Sequence, residues 1–417
     1  MDANAPNKEV RRAAALAWLT TEAGAALLTE AARLPSDRLT RLARLRRRVP
    51  AEIASAAVEL LELRARARRK FAQADSLFLT PEGLEQSTGE AIARYRAARF
   101  PTDVPILDAC CGIGGDALTL AERAPVLAVD RNPAAAVCAR ANAALCAPTS
   151  HPLSTLCADV MTLDLARLRR AGFGAAFFDP SRRADRPTGG RHRARAAEDY
   201  APPLSWLETL RSHFPALAVK VSPALDDAEL QRYDARVEFL SDQGECKEAV
   251  LWFGPLAEAL PESEPSGYCA TVLRPAAPPA TLAPFPCEPP PLSEPRAWLY
   301  EPDPAVIRAH LVPQIARLLH AALLDPQIAY LTADAVTPTP FATAYRVLDW
   351  LPYNLKRVQA RLRALGRQVA AIKRRGVPLE PESLRPRLTG TGQAADPPAV
   401  VVLTRCREKP VAILCET

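Results

Sequence analysis

The sequence is poor in the residues that announce metal or disulfide chemistry. Its 417 residues include five histidines without ligand spacing and ten cysteines, single except for Cys110-Cys111, with no CxxC pair. That excludes a zinc-ribbon pattern and suits reduced thiols better than a disulfide framework, so no metal is expected. No apolar run is long enough to cross a bilayer. The opening MDANAPNKEVRR has no apolar stretch behind its charges, so no secretory leader is expected and the cytoplasm is the expected compartment. Lysine is scarce beside arginine, a bias that GC-rich coding explains. A net charge of +6 permits an anionic partner without requiring one.

What is present divides along the chain. Residues 1–100 read as an N-terminal helical region, with apolar residues at three- and four-residue spacing in AALAWLTTEAGAALLTEAARL and AEIASAAVELLELRARARRKF. The Arg-dense RLTRLARLRRRVP between them reads as a solvated helix face. Thr80-Pro81 is a helix-start signal. From 101 to 256 short β-rich runs alternate with helical stretches: PILDAC, VLAVD, STLCAD, AAFFDP, ALAVKVSP, ARVEFLSD and EAVLWFG. Alternation of that kind predicts a parallel sheet covered by helices. The last two runs are joined by too short a link for a crossover, so they should pair antiparallel. Residues 257–295 are proline-rich and read as a linker with one candidate strand, YCATVL. Residues 296–417 read as a small α/β domain, with a helix starting near 341 and a terminal strand pair, AVVVLTR and PVAILCE.

ILDACCGIGGDAL joins a strand to a helix through a glycine-rich turn. Gly112 and Gly114 allow a tight backbone and close approach of a ligand. The glycines alone also fit a dinucleotide fingerprint; the acids decide. Asp108 at the end of the first strand would sit badly beside a pyrophosphate but suits a cationic amino-acid end. Asp130 ends the second strand about twenty residues further on, where a carboxylate accepts ribose hydroxyls. Asp159, ending the third, could receive the exocyclic amine of an adenine. Cation, ribose and adenine together describe S-adenosylmethionine (SAM).

Residues 104–254 resemble the class I SAM-dependent methyltransferases, whose turn reads D-x-G-x-G-x-G; here Cys110 stands at the first glycine position. The resemblance implies an α/β fold with a Rossmann-like seven-stranded sheet and an antiparallel terminal hairpin. It implies Asp108, Gly112, Gly114, Asp130 and Asp159 around SAM, with Asn132 near the ribose or adenine. Cys110 and Cys111 read as small turn residues rather than nucleophiles.

Asp179-Pro180 in FFDPSRR ends the fourth strand and should face the transferred methyl group. Methyl transfer is an in-line displacement, so catalysis is largely alignment of an electron pair. Asp179 is the candidate to orient an acceptor N–H. Enzymes acting on exocyclic amines follow Asp-Pro with an aromatic; here Ser181, Arg182 and Arg183 follow instead. The two arginines could stack on a base, clamp a phosphate or pair with surface acids. Lys220 in VKVSP contacts substrate or pairs with Asp179.

DPSRR, EDYAPPL, VKVSP, YEPDPAVIRAHLV and EQSTGEAIARYRAARF together resemble bacterial class I methyltransferases with a C-terminal THUMP-like domain. That resemblance implies an RNA partner, a tRNA or rRNA. The basic run Lys373-Arg374-Arg375 and the cations from Lys356 to Arg367 are candidate phosphate contacts, as much as they are a solvated face. Tyr345, Trp350 and Tyr353 could stack on bases or fill the core. The leading expectation is methylation of an RNA base. The alternatives are a small-molecule or protein methyltransferase, and a non-catalytic SAM- or RNA-binding module.

Overall fold

A computed structural model describes residues 5–145, 151–181, 197–261, 267–388 and 397–416. By internal packing the chain forms two compact units, Met1–Val237 with Glu248–Leu260, and Glu238–Lys247 with Pro261–Thr417.

The first unit opens with helices α1 (Ala5–Leu19), α2 (Glu22–Arg33), α3 (Arg38–Leu45), α4 (Ala51–Ala67), α5 (Pro81–Gln86) and α6 (Glu90–Ala97). Side-chain caps start several of them, as N-cap chemistry demands. The Thr80 hydroxyl accepts from the Gly83 amide at 2.9 Å, where the sequence put a helix start. Their apolar faces do not form a separate core. Leu16, Leu19, Leu27, Val58, Leu63 and Phe71 pack in one cluster with Ile113 of the glycine turn and Ala134 and Cys138 beyond it.

Strands and helices then alternate as the sequence predicts. They run β1 (Ile106–Ala109), α7 (Gly115–Leu120), β2 (Val126–Asp130), α8 (Pro133–Leu145), β3 (Leu153–Cys157), α9 (Leu165–Arg170), β4 (Ala175–Phe178), α10 (Leu207–His213), β5 (Ala216–Val221) and α11 (Asp227–Leu230). β6 (Arg236–Asp242) and β7 (Glu245–Phe253) follow, joined by Gln243-Gly244, and α12 (Pro255–Glu258) comes next. Both turn residues have positive φ, 53° and 79°, the geometry that two-residue hairpins require. β1 pairs parallel with β2 and β4, and β4 with β5. β7 runs antiparallel to β5.

The strand order is β3-β2-β1-β4-β5-β7-β6-β8-β9. The expected seven strands are there, and two more extend them: β8 (Cys269–Leu273) and β9 (Ala280–Leu282). The run YCATVL inside the proline-rich stretch is β8, parallel to β6. Its addition pairs an edge that would otherwise present open backbone groups.

The second unit continues with β10 (Trp298–Pro302), α13 (Pro304–Arg308), α14 (Val312–Leu318), β11 (Ala322–Asp325), β12 (Ile328–Ala333), β13 (Ala342–Pro352) and α15 (Leu355–Ala364). It closes with β14 (Gln368–Arg374), α16 (Pro381–Leu388), β15 (Pro398–Cys406) and β16 (Lys409–Glu416). Seven strands form a sheet in the order β11-β12-β10-β13-β16-β15-β14. The helix expected near 341 is instead the long strand β13. Its β-branched and aromatic residues suit a sheet, and the helix waits for Asn354, whose side chain accepts from the Arg357 amide at 3.1 Å. Tyr345 and Trp350 pack against one core cluster and Tyr353 against another.

Candidate functional site

The carboxyl ends of β1, β2 and β4 bring the strand-end acids to one edge, where ligands of open α/β sheets bind. Asp108 lies within β1, opposite Ala128 of β2 and Phe177 of β4. It is 0 % exposed, and among the described residues neither carboxylate oxygen has a hydrogen-bond partner. Burial pushes its carboxyl well above the usual range, Asp116 and Asp179 add to this, and the charge of Arg96 opposes it. A buried acid without partners is costly to leave so. It is an acceptor that a cationic group would satisfy.

The turn after it is held tightly. The Cys110 and Cys111 amides both donate to Val129 O, at 2.9 and 3.0 Å, and Gly114 N donates to Cys111 O at 2.9 Å. Cys110 (φ 70°), Gly112 (φ 55°) and Gly114 (φ 86°) all lie in the left-handed region. Gly114 has a second reason to be glycine, since a Cβ there would sit 3.3 Å from Ala139. At Gly112 a Cβ would meet no atom within 4 Å, so the turn faces open space there. Burial keeps both Cys110 and Cys111 well above the ordinary thiol range, which suits turn residues and not thiolate nucleophiles.

Asp130 ends β2 and is tied to the turn. Its carboxylate accepts from Gly112 N at 2.9 Å and from Asn132 N at 2.8 Å. Burial raises its carboxyl, and those two amides pull the other way. The Asn132 side chain caps α8, accepting from Ala134 N and Ala135 N, and donates to Glu9 of α1 at 3.2 Å. Asp159 lies beyond the end of β3, exposed, and accepts from Met161 N at 2.9 Å.

At the neighbouring strand end, the Asp179 amide donates to Ala109 O at 3.1 Å, so this acid stands beside the end of β1. Pro180 is buried. Lys220, on β5, donates to the Asp179 carboxylate at 2.5 Å. Of the two sequence readings for Lys220, pairing with Asp179 is the one observed. Motifs far apart in sequence meet here. Ser181 exchanges backbone bonds of 3.0 Å with Ala201, and the Tyr200 hydroxyl accepts from Ser222 N at 2.9 Å. DPS, DYAP and KVSP are therefore one corner. Arg182 and Arg183 lie outside the described residues.

Sequence reasoning missed the polar network beneath this edge. Arg96 of α6 is 2 % exposed. It donates to Glu248 of β7 at 2.6 Å and to the Thr88 hydroxyl at 3.0 Å, and pairs with Asp116 in the first turn of α7. Its guanidinium lies 4.6 Å from the ring centre of Phe177. Nothing in EAIARYRAARF distinguishes Arg96 from the exposed Arg94; only its face of the short helix does.

In the second unit the basic run is not a free cluster. Lys373 is bound to Glu301, 5.4 Å from the Tyr345 ring centre. Arg374 pairs with Glu380 at 2.9 Å. Arg375 lies 5.3 Å from the ring centre of Tyr330. Lys356, Arg357 and Arg363 of α15 are exposed.

The strand order, the acid-led glycine turn and the antiparallel last strands define a class I methyltransferase. The residues fit its cofactor: the orphaned Asp108 oxygens offer a place for a cation, and Gly112 leaves room for close approach. Comparison with known proteins agrees. An uncharacterised S-adenosylmethionine-dependent methyltransferase of Mycobacterium tuberculosis, strain CDC 1551, is 32% identical over 349 residues, covering 78% of this chain and 84% of its own. The same values hold for the protein of strain H37Rv. Residues 342–417 match a THUMP domain-like model, and residues 12–67 a domain of unknown function. A crystal structure from Porphyromonas gingivalis W83, assigned as a methyltransferase, shares the fold. Its TM-score is 0.75 at 21% identity, over 94% of this chain and 97% of that one. The chain belongs to the family of S-adenosylmethionine-dependent methyltransferases that end in a THUMP-like domain, and its cofactor is SAM. Among the described residues no helix is long and apolar enough to cross a membrane.

Proposed function

We propose that the enzyme methylates a base in RNA, with Asp179 aligning the acceptor. The observation that carries the reading is the Asp179 carboxylate at the sheet edge beside Asp108, locked in place by Lys220. When bound, SAM supplies a methyl group on a sulfonium sulfur. Asp108 would hold the cationic amino-acid end, Asp130 the ribose, and Asp159 the adenine side. Gly112 and Gly114 would shape the turn against the cofactor, and Asn132, whose side chain caps α8, would lie near the ribose or adenine. Asp179, with the main-chain carbonyl before Pro180, would accept a hydrogen bond from the target N–H. That bond would turn the nitrogen lone pair toward the sulfonium carbon.

The RNA part rests on the THUMP-like match and on the exposed cations of α15, which suit phosphates. Arg182 and Arg183 would add base or phosphate contacts. The partners already held by Lys373, Arg374 and Arg375 favour a second reading, in which the acceptor is a small molecule or protein. Labelled SAM supplied with undermethylated total RNA, protein extract or metabolite extract separates the two. Label in the RNA fraction is expected; label only elsewhere would overturn the RNA reading.

A further inference from the structure

Four successive backbone carbonyls at the end of α5 are held by two ammonium groups. Lys70 Nζ donates to Leu84 O at 2.7 Å, Glu85 O at 3.3 Å and Ser87 O at 2.9 Å. Lys220 Nζ donates to Gln86 O at 3.4 Å. A helix C-terminus leaves such carbonyls without partners and carries partial negative charge, so cations belong there. Lys70 meets that need by itself at three positions. Lys220 is different, because the same ammonium also holds the Asp179 carboxylate.

The Lys220 side chain is 5 % exposed, and an ammonium so buried needs its partners. Two of its three N–H donors are committed to Asp179 and Gln86. Its bond takes Oδ2 of Asp179, which leaves Oδ1 to receive an acceptor N–H. Residues 84–88 are fixed on their other sides too. The Thr88 hydroxyl meets Arg96 at 3.0 Å and Glu248 at 3.4 Å. Gly83 packs so closely on the cofactor turn that a Cβ there would lie 2.3 Å from Ile113 Cγ2.

We propose that Lys220 is a positioning residue that orients the Asp179 carboxylate and fastens residues 84–88 as a wall of the reaction corner. The inference rests on the reading of Asp179 as the group that aligns the acceptor. It gives the N-terminal helices a task in the reaction, and it makes the exposed Gln86 a neighbour of the acceptor.

The test compares full-length Lys220→Met, which removes the charge at similar volume, with Lys220→Arg, which keeps it. Amide exchange of the peptide covering 84–88 is followed by mass spectrometry, independently of any acceptor. Methyl transfer to undermethylated RNA gives kcat and KM. Lys220→Met should exchange about tenfold faster across 84–88. It should lose about a hundredfold in kcat, with KM and SAM affinity within about threefold. Lys220→Arg should recover most of the protection and much of kcat. A raised KM with kcat kept would make Lys220 a substrate contact and overturn the proposal, as would unchanged exchange in Lys220→Met. If the wild type labels no RNA, the RNA reading fails, while the exchange comparison still decides whether Lys220 fastens the wall.

Discussion

The cofactor turn and the reaction corner use the same element, an aspartate at the carboxyl end of a parallel strand, and give it opposite surroundings. At the turn, Asp108 is buried with no hydrogen-bond partner among the described residues, while Asp130 is satisfied by two backbone amides. At the corner, Asp179 is bound by a lysine and partly open. The contrast separates three tasks that the sequence writes with one letter. An acid without a hydrogen-bond partner among the described residues would take a charge from outside; an acid on amides holds the turn and would offer its remaining lone pairs. An acid on a lysine is held in one orientation, which the proposed alignment of an acceptor would use.

Each acid can be removed to break that comparison. Asp179→Ala should have the largest effect, lowering single-turnover methyl transfer by about a thousandfold, within the range for positioned acid–base groups. Calorimetry should find its SAM affinity within about threefold of wild type. A variant that lost both would merge the two regions into one. Asp130→Ala should weaken SAM binding by about a hundredfold, since hydrogen bonds to a charged group contribute roughly 1.5–3 kcal/mol each and Gly112 loses its anchor.

Asp108→Asn should cost about tenfold in affinity, the loss of one charge-assisted bond, and change the pH dependence as well. The Asp108 carboxyl is raised in the folded chain, and a bound cation favours its ionised form. Affinity should therefore rise with pH above the ordinary carboxylate range and level off once Asp108 ionises, whereas the Asp108→Asn variant should give a flat profile. Stability of the ligand-free chain runs the other way. The raised group contributes stability fully present below the unfolded value near 3.8, and lost as pH rises through the folded value. Asp108→Asn should remove that decline in chemical denaturation. The smallest effect belongs to Cys110→Gly. Glycine relieves a left-handed residue of about 1–2 kcal/mol of strain but costs unfolded-state entropy. A net gain of about 0.5–1 kcal/mol in thermal unfolding is expected.

Much of this was legible in the sequence because strand-end positions follow from hydrophobic runs. ILDAC, VLAVD and AAFFDP each end in or near the acid that the fold presents at the sheet edge. The hairpin was legible in the short link around Gln243-Gly244. β13 was not, since TAYRVLDWL carries no break that tells a strand from a helix. Only the Asn354 cap marks where the helix starts. Arg96 was hidden for another reason: burial of an arginine depends on three acceptors from α7, β7 and the segment before α6, and no local pattern announces them. Lys373-Arg374-Arg375 reads as a basic run, but strand alternation and distant acids divide its charges among different partners.

A crystal structure with bound S-adenosylhomocysteine tests the central claim most directly. The ribose hydroxyls are expected on Asp130, the amino group within hydrogen-bond reach of Asp108, and the sulfur facing Asp179. A ligand bound with its ribose away from Asp130, or its sulfur turned from the β4 end, would contradict it.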